Sequence, residues 1–244
     1  MASTSETGHA KNVANFEDFI SFVTAYGATY NPSKASIKLA NLNAIFTQAK
    51  ADISNVTSKT VTFNNTSNVR ATLFEPLQKL STRLVQALSS TDATKELVKD
   101  AKTVNRKLQG KRAKATETPT DPNAPAPNTI SASQQSYDQL IEHFGKLIEV
   151  LKSEPTYTPN EADLKITALN TQLTALKTAN TNVTNAYTAI SNARIARDKT
   201  LYKEKAGMYD VTLDVKNYVK SLYGISSPEF KQLSKIKFSK PKTV

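Results

Sequence analysis

Residues 30–57 of this chain recur at a displacement of 127. Tyr30, Pro32, Ala35 and Lys38 match Tyr157, Pro159, Ala162 and Lys165, and Leu42-Asn43 matches Leu169-Asn170. Thr47, Lys50 and Asn55-Val56-Thr57 match Thr174, Lys177 and Asn182-Val183-Thr184, giving 11 identities without a gap. Average residue usage would give roughly two. Whatever this sequence folds into, one structural unit is expected to occur twice.

The repeated stretch carries helical spacing. Leu42, Phe46, Ala49, Ile53, Val56, Thr60 and Phe63 alternate steps of four and three. So do Leu169, Leu173, Leu176, Asn180, Val183, Tyr187 and Ile190. Sustained 4-3 spacing lays a narrow apolar seam along a long helix. Asn180 interrupts the second seam. It either sets register through a polar partner or reaches water at a loose layer.

Other helices flank the seams. Phe16, Phe19, Ile20 and Val23 predict a first helix ending near Gly27, and Tyr30-Asn31-Pro32-Ser33 a turn that opens the second. Val69, Leu73, Leu77, Leu80, Leu84 and Leu88 predict a third, with a kink or restart at Pro76. In the second half the first helix is expected around Tyr137, Leu140, Ile141, Phe144, Leu147, Ile148 and Leu151. The third is expected around Leu201, Met208, Val211, Val215, Tyr218 and Leu222. Each half closes on Lys-x-Leu-x-Lys, at Lys95–Lys99 and Lys231–Lys235, predicting a short basic amphipathic helix. The prolines at 119, 122, 125 and 127 mark a linker.

The predicted fold is all-α: a tandem duplication of an antiparallel three-helix unit, or one elongated six-helix bundle with merged seams. The expected boundaries are a disordered stretch over 1–12, helical units over 13–114 and 131–238, a Pro-rich linker over 115–130, and a basic tail over 239–244.

Composition narrows the chemistry. Cysteine is absent, so disulfides, thiolate nucleophiles and Cys-ligated metals are excluded. Six glycines and no GxGxxG, GxxxxGK[ST] or GxSxG argue against phosphate loops and hydrolase elbows. There are two histidines. His143 lies opposite Phe16 at the 127 displacement, which favours a packing position over a ligand. Asp210 and Asp214, one turn apart, read as surface carboxylates rather than a cation site. The expectation is a non-enzyme without cofactor or metal. The first residues lack a basic-then-apolar leader and no apolar run spans a bilayer, so a cytoplasmic location is expected.

Charge is the feature with partner chemistry. The net charge is +11. One cluster comprises Lys95, Lys99, Lys102, Arg106, Lys107, Lys111, Arg112 and Lys114; a second comprises Lys231, Lys235, Lys237, Lys240 and Lys242. Such clusters can neutralise phosphates without reading bases, or simply keep a helical surface soluble.

The stretch Leu222-Tyr223-Gly224 with Ser226-Ser227-Pro228-Glu229-Phe230-Lys231-Gln232 resembles the ends of small all-helical bacterial proteins of unknown function. That resemblance covers about 20 residues. It implies a helical body and a bacterial source, and it carries no active site. The expected role is structural: duplicated helical units contacting another protein or further copies of the chain. The alternatives are non-specific binding of nucleic acid or another acidic polymer, and a membrane-active helical toxin.

Overall fold

The computed structural model describes residues 8–111 and 134–241. These form eight α-helices and, among the described residues, no strand: α1 (His9–Ala25), α2 (Leu39–Phe74), α3 (Leu77–Ser89), α4 (Lys95–Leu108), α5 (Tyr137–Lys152), α6 (Ile166–Tyr202), α7 (Met208–Tyr223) and α8 (Pro228–Lys235). Residues 9–12, expected to be disordered, open α1, because Asn12 and Val13 are buried and the chain is tied down there. The Pro-rich segment 115–130 lies outside the described residues.

The seams become the two long helices, of 36 and 37 residues. At 1.5 Å per residue each is roughly 54 Å long, far longer than α1 or α3. Val69 and Leu73 belong to α2 rather than to the third helix, and Leu201 belongs to α6. Pro76 separates α2 from α3, as its missing donor requires. Pro32 and Pro159 do not start the long helices. A single turn of 3₁₀-helix, Ala35–Ile37 or Ala162–Leu164, intervenes.

That turn is built the same way twice. The Tyr30 hydroxyl donates to the Ile37 carbonyl at 2.6 Å, and the Tyr157 hydroxyl donates to the Leu164 carbonyl at 3.0 Å. Burial pushes both phenols up, Tyr157 to about 12, so both remain donors.

The described residues form two compact units, and the division cuts across the sequence halves. One unit comprises 1–63 with 186–244; the other comprises 64–185. In the first, Phe16, Phe19 and Val23 of α1 share a core with Leu42 and Ala49 of α2, Leu201 of α6, Val211 and Val215 of α7, and Leu233 of α8. In the second, Phe144, Leu147 and Leu151 of α5 share a core with Phe74, Leu84 and Leu88 of α2 and α3, Ala101 and Leu108 of α4, and Leu169 and Leu176 of α6. Each unit therefore takes its first helix from one half and its last two helices from the other. The boundaries expected at 13–114 and 131–238 do not describe these cores. Helix length supplies the reason. α1 has 17 residues and α3 has 13, so each covers only part of α2.

Burial repeats by number in each element. Phe16, Phe19, Ile20 and Val23 correspond to Phe144, Leu147, Ile148 and Leu151 at a displacement of 128. Leu77, Leu80, Ser81, Leu84 and Leu88 correspond to Met208, Val211, Thr212, Val215 and Val219 at 131. Even the buried hydroxyls behave alike: Ser81 donates to the Gln78 carbonyl at 2.9 Å, and Thr212 to the Tyr209 carbonyl at 2.6 Å. The extra residues sit in the 203–207 connection, where Lys205 takes a left-handed φ of 62°. Gly207 there admits no side chain, since a Cβ would lie 2.5 Å from the Lys203 nitrogen. Replacing Gly207 with Ala is expected to lower stability by about 1–3 kcal/mol, as overpacking against backbone does, read from a urea melt.

Candidate polyanion interface

α4 folds as an amphipathic helix because its apolar and basic residues keep separate rows. Val98, Ala101, Val104 and Leu108 face the core, and α4 packs against both α3 and α5. Its start is capped by Thr94, whose hydroxyl oxygen accepts from the Leu97 N–H at 3.2 Å. Lys95, Lys99, Lys102 and Arg106 step 4-3-4 along the opposite side, so they form one row. The three lysines are exposed and Arg106 is half-buried. None of the four forms an ion pair with a described carboxylate. Lys107 is half-buried, and its carbonyl accepts from the Gln135 side chain at 2.6 Å. Lys111 is exposed just past the helix; Arg112 and Lys114 lie outside the described residues.

The second cluster belongs to the other compact unit. Lys231 and Lys235 lie one turn apart and exposed on α8, which is capped by Ser227 through the Phe230 N–H at 3.1 Å. Lys237 and Lys240 are exposed in the segment after α8; Lys242 is outside the described residues. The two sequence clusters are thus not gathered into one unit. Nor is 239–244 a loose tail at its start, since Ser239 is bound by Asn12.

Asn180 is fully engaged: its carbonyl oxygen accepts from Arg70 at 2.8 Å, and its amide donates to Asp138 at 2.7 Å. The Arg70 guanidinium lies 3.9 Å from the centroid of the Tyr137 ring. Asn180 therefore joins α2, α5 and α6 within one unit, the partnered form of the two alternatives. Tyr187, placed in the same seam, is 59% exposed. The buried row is Ala179, Val183, Ala186, Ile190 and Ala193: Val183 and Ile190 keep their seam places, while at Asn180 and Tyr187 the buried residue is the alanine one position earlier.

Asp210 and Asp214 find separate partners. Asp210 accepts from the Lys205 N–H at 2.6 Å, and Asp214 pairs with Lys34 at 2.5 Å. Among the described residues no group of acidic residues and histidines could hold a metal ion, and no helix is long and apolar enough to cross a membrane. One groove, of about 460 Å³, is lined by Gln48, Asp52, Lys199 and Thr200 among others. The Asp52 carboxylate there is already bound by Gln48 and Thr200.

His143 is 2% exposed, and neither ring nitrogen has a hydrogen-bond partner among the described residues. Burial sets it at a displacement of 128 from Asn15, not 127 from Phe16, because Phe144 takes the phenylalanine site. Burial chiefly, with Lys107 and Lys146, pushes the imidazole below its ordinary value near 6.5, against Glu142. In the fold the ring stays neutral to lower pH than in the unfolded chain, which takes up a proton as pH falls through about 6.5. Stability is accordingly lost below that pH. Replacing His143 with Leu is expected to remove this acid sensitivity and to stabilise the protein by about 1–3 kcal/mol at pH 5, read from urea melts across pH.

No family model matches the chain, and no curated protein or solved structure does either.

Proposed function

We propose that the chain is a non-catalytic binding and assembly protein, descended from a duplicated helical unit, that offers two similarly built bodies to a protein partner or to further copies of itself. The observation that carries this is the recurrence of one construction: a first helix, a tyrosine-locked turn, part of each long helix and two closing helices, with burial repeating at displacements of 127, 128 and 131. Two similar bodies on one chain favour bivalent capture of one partner, or head-to-tail joining of copies. Sedimentation from micromolar to near-millimolar concentration tests it. Association is expected to grow with concentration; a strict monomer throughout that also binds no protein would count against the proposal.

The exposed α4 row favours a second reading, docking on an acidic polymer. Counterion release makes log affinity for duplex DNA fall with log salt by about 0.9 per phosphate neutralised. Changing Lys95, Lys99, Lys102 and Arg106 to Gln is expected to flatten that slope without loss of helix content. A slope equal to that of the unaltered chain would remove α4 from the reading.

A further inference from the structure

The turn between α7 and α8 is apolar where the turn between α3 and α4 is polar. At the displacement of 131 that aligns α3 with α7, Leu222, Tyr223 and Ile225 fall on Thr91, Asp92 and Thr94. At 128, which aligns α1 with α5, Tyr26 falls on Glu154. Polar groups close that end of the unit comprising 64–185. The Glu154 carboxylate accepts from the Thr156 N–H at 3.0 Å, and the Thr156 hydroxyl oxygen accepts from the Asp92 N–H at 3.3 Å. In the other unit two rings stand there instead. Tyr26 and Tyr223 lie 5.5 Å apart between centroids, and the Tyr26 hydroxyl donates to the Glu229 carbonyl at 3.0 Å.

Around this pair apolar side chains remain in water. Ile225, in the turn itself, is 65% exposed. Leu222 precedes Tyr223, Phe22 lies one turn before Tyr26, and both are exposed. The repeated construction does not require them, since its other copy joins the equivalent helices through threonines.

Two lysines flank the turn. The Lys220 carbonyl accepts from the Gly224 N–H at 2.9 Å, and the Lys231 N–H donates to the Ser227 carbonyl at 3.1 Å, so each stands one helical turn from it. Both side chains are exposed, and neither forms an ion pair with a described carboxylate. The neighbouring carboxylates are occupied or set back. Asp214 pairs with Lys34, Glu229 is half-buried, and Asp18 lies a turn behind Phe22.

An exposed apolar turn with tyrosines behind it and cations beside it matches the boundary of an anionic bilayer. Aliphatic side chains enter among the acyl chains, amphipathic tyrosine rings settle at headgroup level, and lysines meet lipid phosphates. A second copy of the same surface is a worse occupant, because a two-fold contact would bring Lys220 and Lys231 against their own equivalents.

We propose that the α7–α8 turn, together with Phe22, is a membrane-docking surface that seats on an anionic bilayer through Leu222 and Ile225 without crossing it. This goes beyond the assembly reading and does not depend on it. Oligomeric state is measured without lipid, so either can fail alone.

Flotation of the full chain with vesicles tests it. Phosphatidylcholine vesicles containing about 30% phosphatidylglycerol are expected to carry the chain at least tenfold better than phosphatidylcholine alone. Lysines elsewhere also favour anionic vesicles, so the deciding variant is Leu222→Thr with Ile225→Thr. It copies the residues at 91 and 94 and leaves the net charge at +11. Helix content should be kept, and affinity for the mixed vesicles should fall about tenfold. Lys220→Gln with Lys231→Gln should also cost about tenfold. Tryptophan is absent from the chain, so Tyr223→Trp supplies a single reporter, whose emission should shift to the blue when mixed vesicles are added. That shift decides the matter should the double-threonine variant lose helix content. Equal flotation of the unaltered chain and the folded double-threonine variant, or an emission that vesicles leave unchanged, overturns the proposal. So does a variant that keeps vesicle binding but loses self-association, which would make the surface a contact between copies.

Discussion

Residues 1–111 and 134–244, produced as two separate chains, are expected to combine into a one-to-one complex with the helix content of the intact protein. The first piece holds α1, but the partners of Phe16 and Phe19 include Met208, Val211 and Val215 on the second. The second piece holds α5, but Phe144 and Leu147 pack with Leu84, Leu88 and Leu108 on the first. Neither piece can complete a core, and short helices without tertiary cover are marginal in water. Each piece alone should therefore unfold, aggregate or pair with itself. Size-exclusion chromatography with light scattering and circular dichroism reads the result. Either piece alone, monomeric and melting cooperatively with full helix content, would refute the cross-assembled cores.

Phe16→Ala and Phe144→Ala are expected to cost about 3–5 kcal/mol each, as truncating a buried phenylalanine does. Both rings are 0% exposed and hold corresponding places in the two cores. Their effects should differ in location. Hydrogen exchange should rise within 8–63 and 186–241 for Phe16→Ala, and within 64–185 for Phe144→Ala. α2 and α6 contribute to both units, so each should show one loosened stretch and one protected stretch. Uniform loosening by both substitutions would mean that the two cores melt as one.

The helices were legible in the sequence because their signal is local. The 4-3 steps from Leu42 to Phe63, the stripe through Leu77, Leu84 and Leu88, and the break at Pro76 each involve residues a turn or two apart. Which helix packs on which was not legible. α1 and α5 carry nearly the same burial pattern, as do α3 and α7, so apolar spacing cannot distinguish a partner in the same half from one in the other. The decisive quantity was the uninterrupted length of α2, hidden because Val69 and Leu73 resemble the start of another helix, whereas both lie within α2. Of the candidate site, the α4 row was visible as Lys95, Lys99, Lys102 and Arg106. The grip of Asn12 on Ser239 was not. An asparagine on a helix announces nothing until a residue 227 positions away is laid against it.

The crossed construction also sets an order of completion during synthesis. The unit comprising 64–185 is one unbroken run and can close as soon as it has left the ribosome. The other cannot, because α1 is made early while α7 and α8 come near the end. At about 5–20 residues per second, roughly 10–40 s separate α1 from α7. Throughout that interval Phe16, Phe19, Ile20 and Val23 have no native cover from α7 or α8. The first helix to be born is among the last to be buried, and a chaperone that holds a short apolar helix would find its opportunity there.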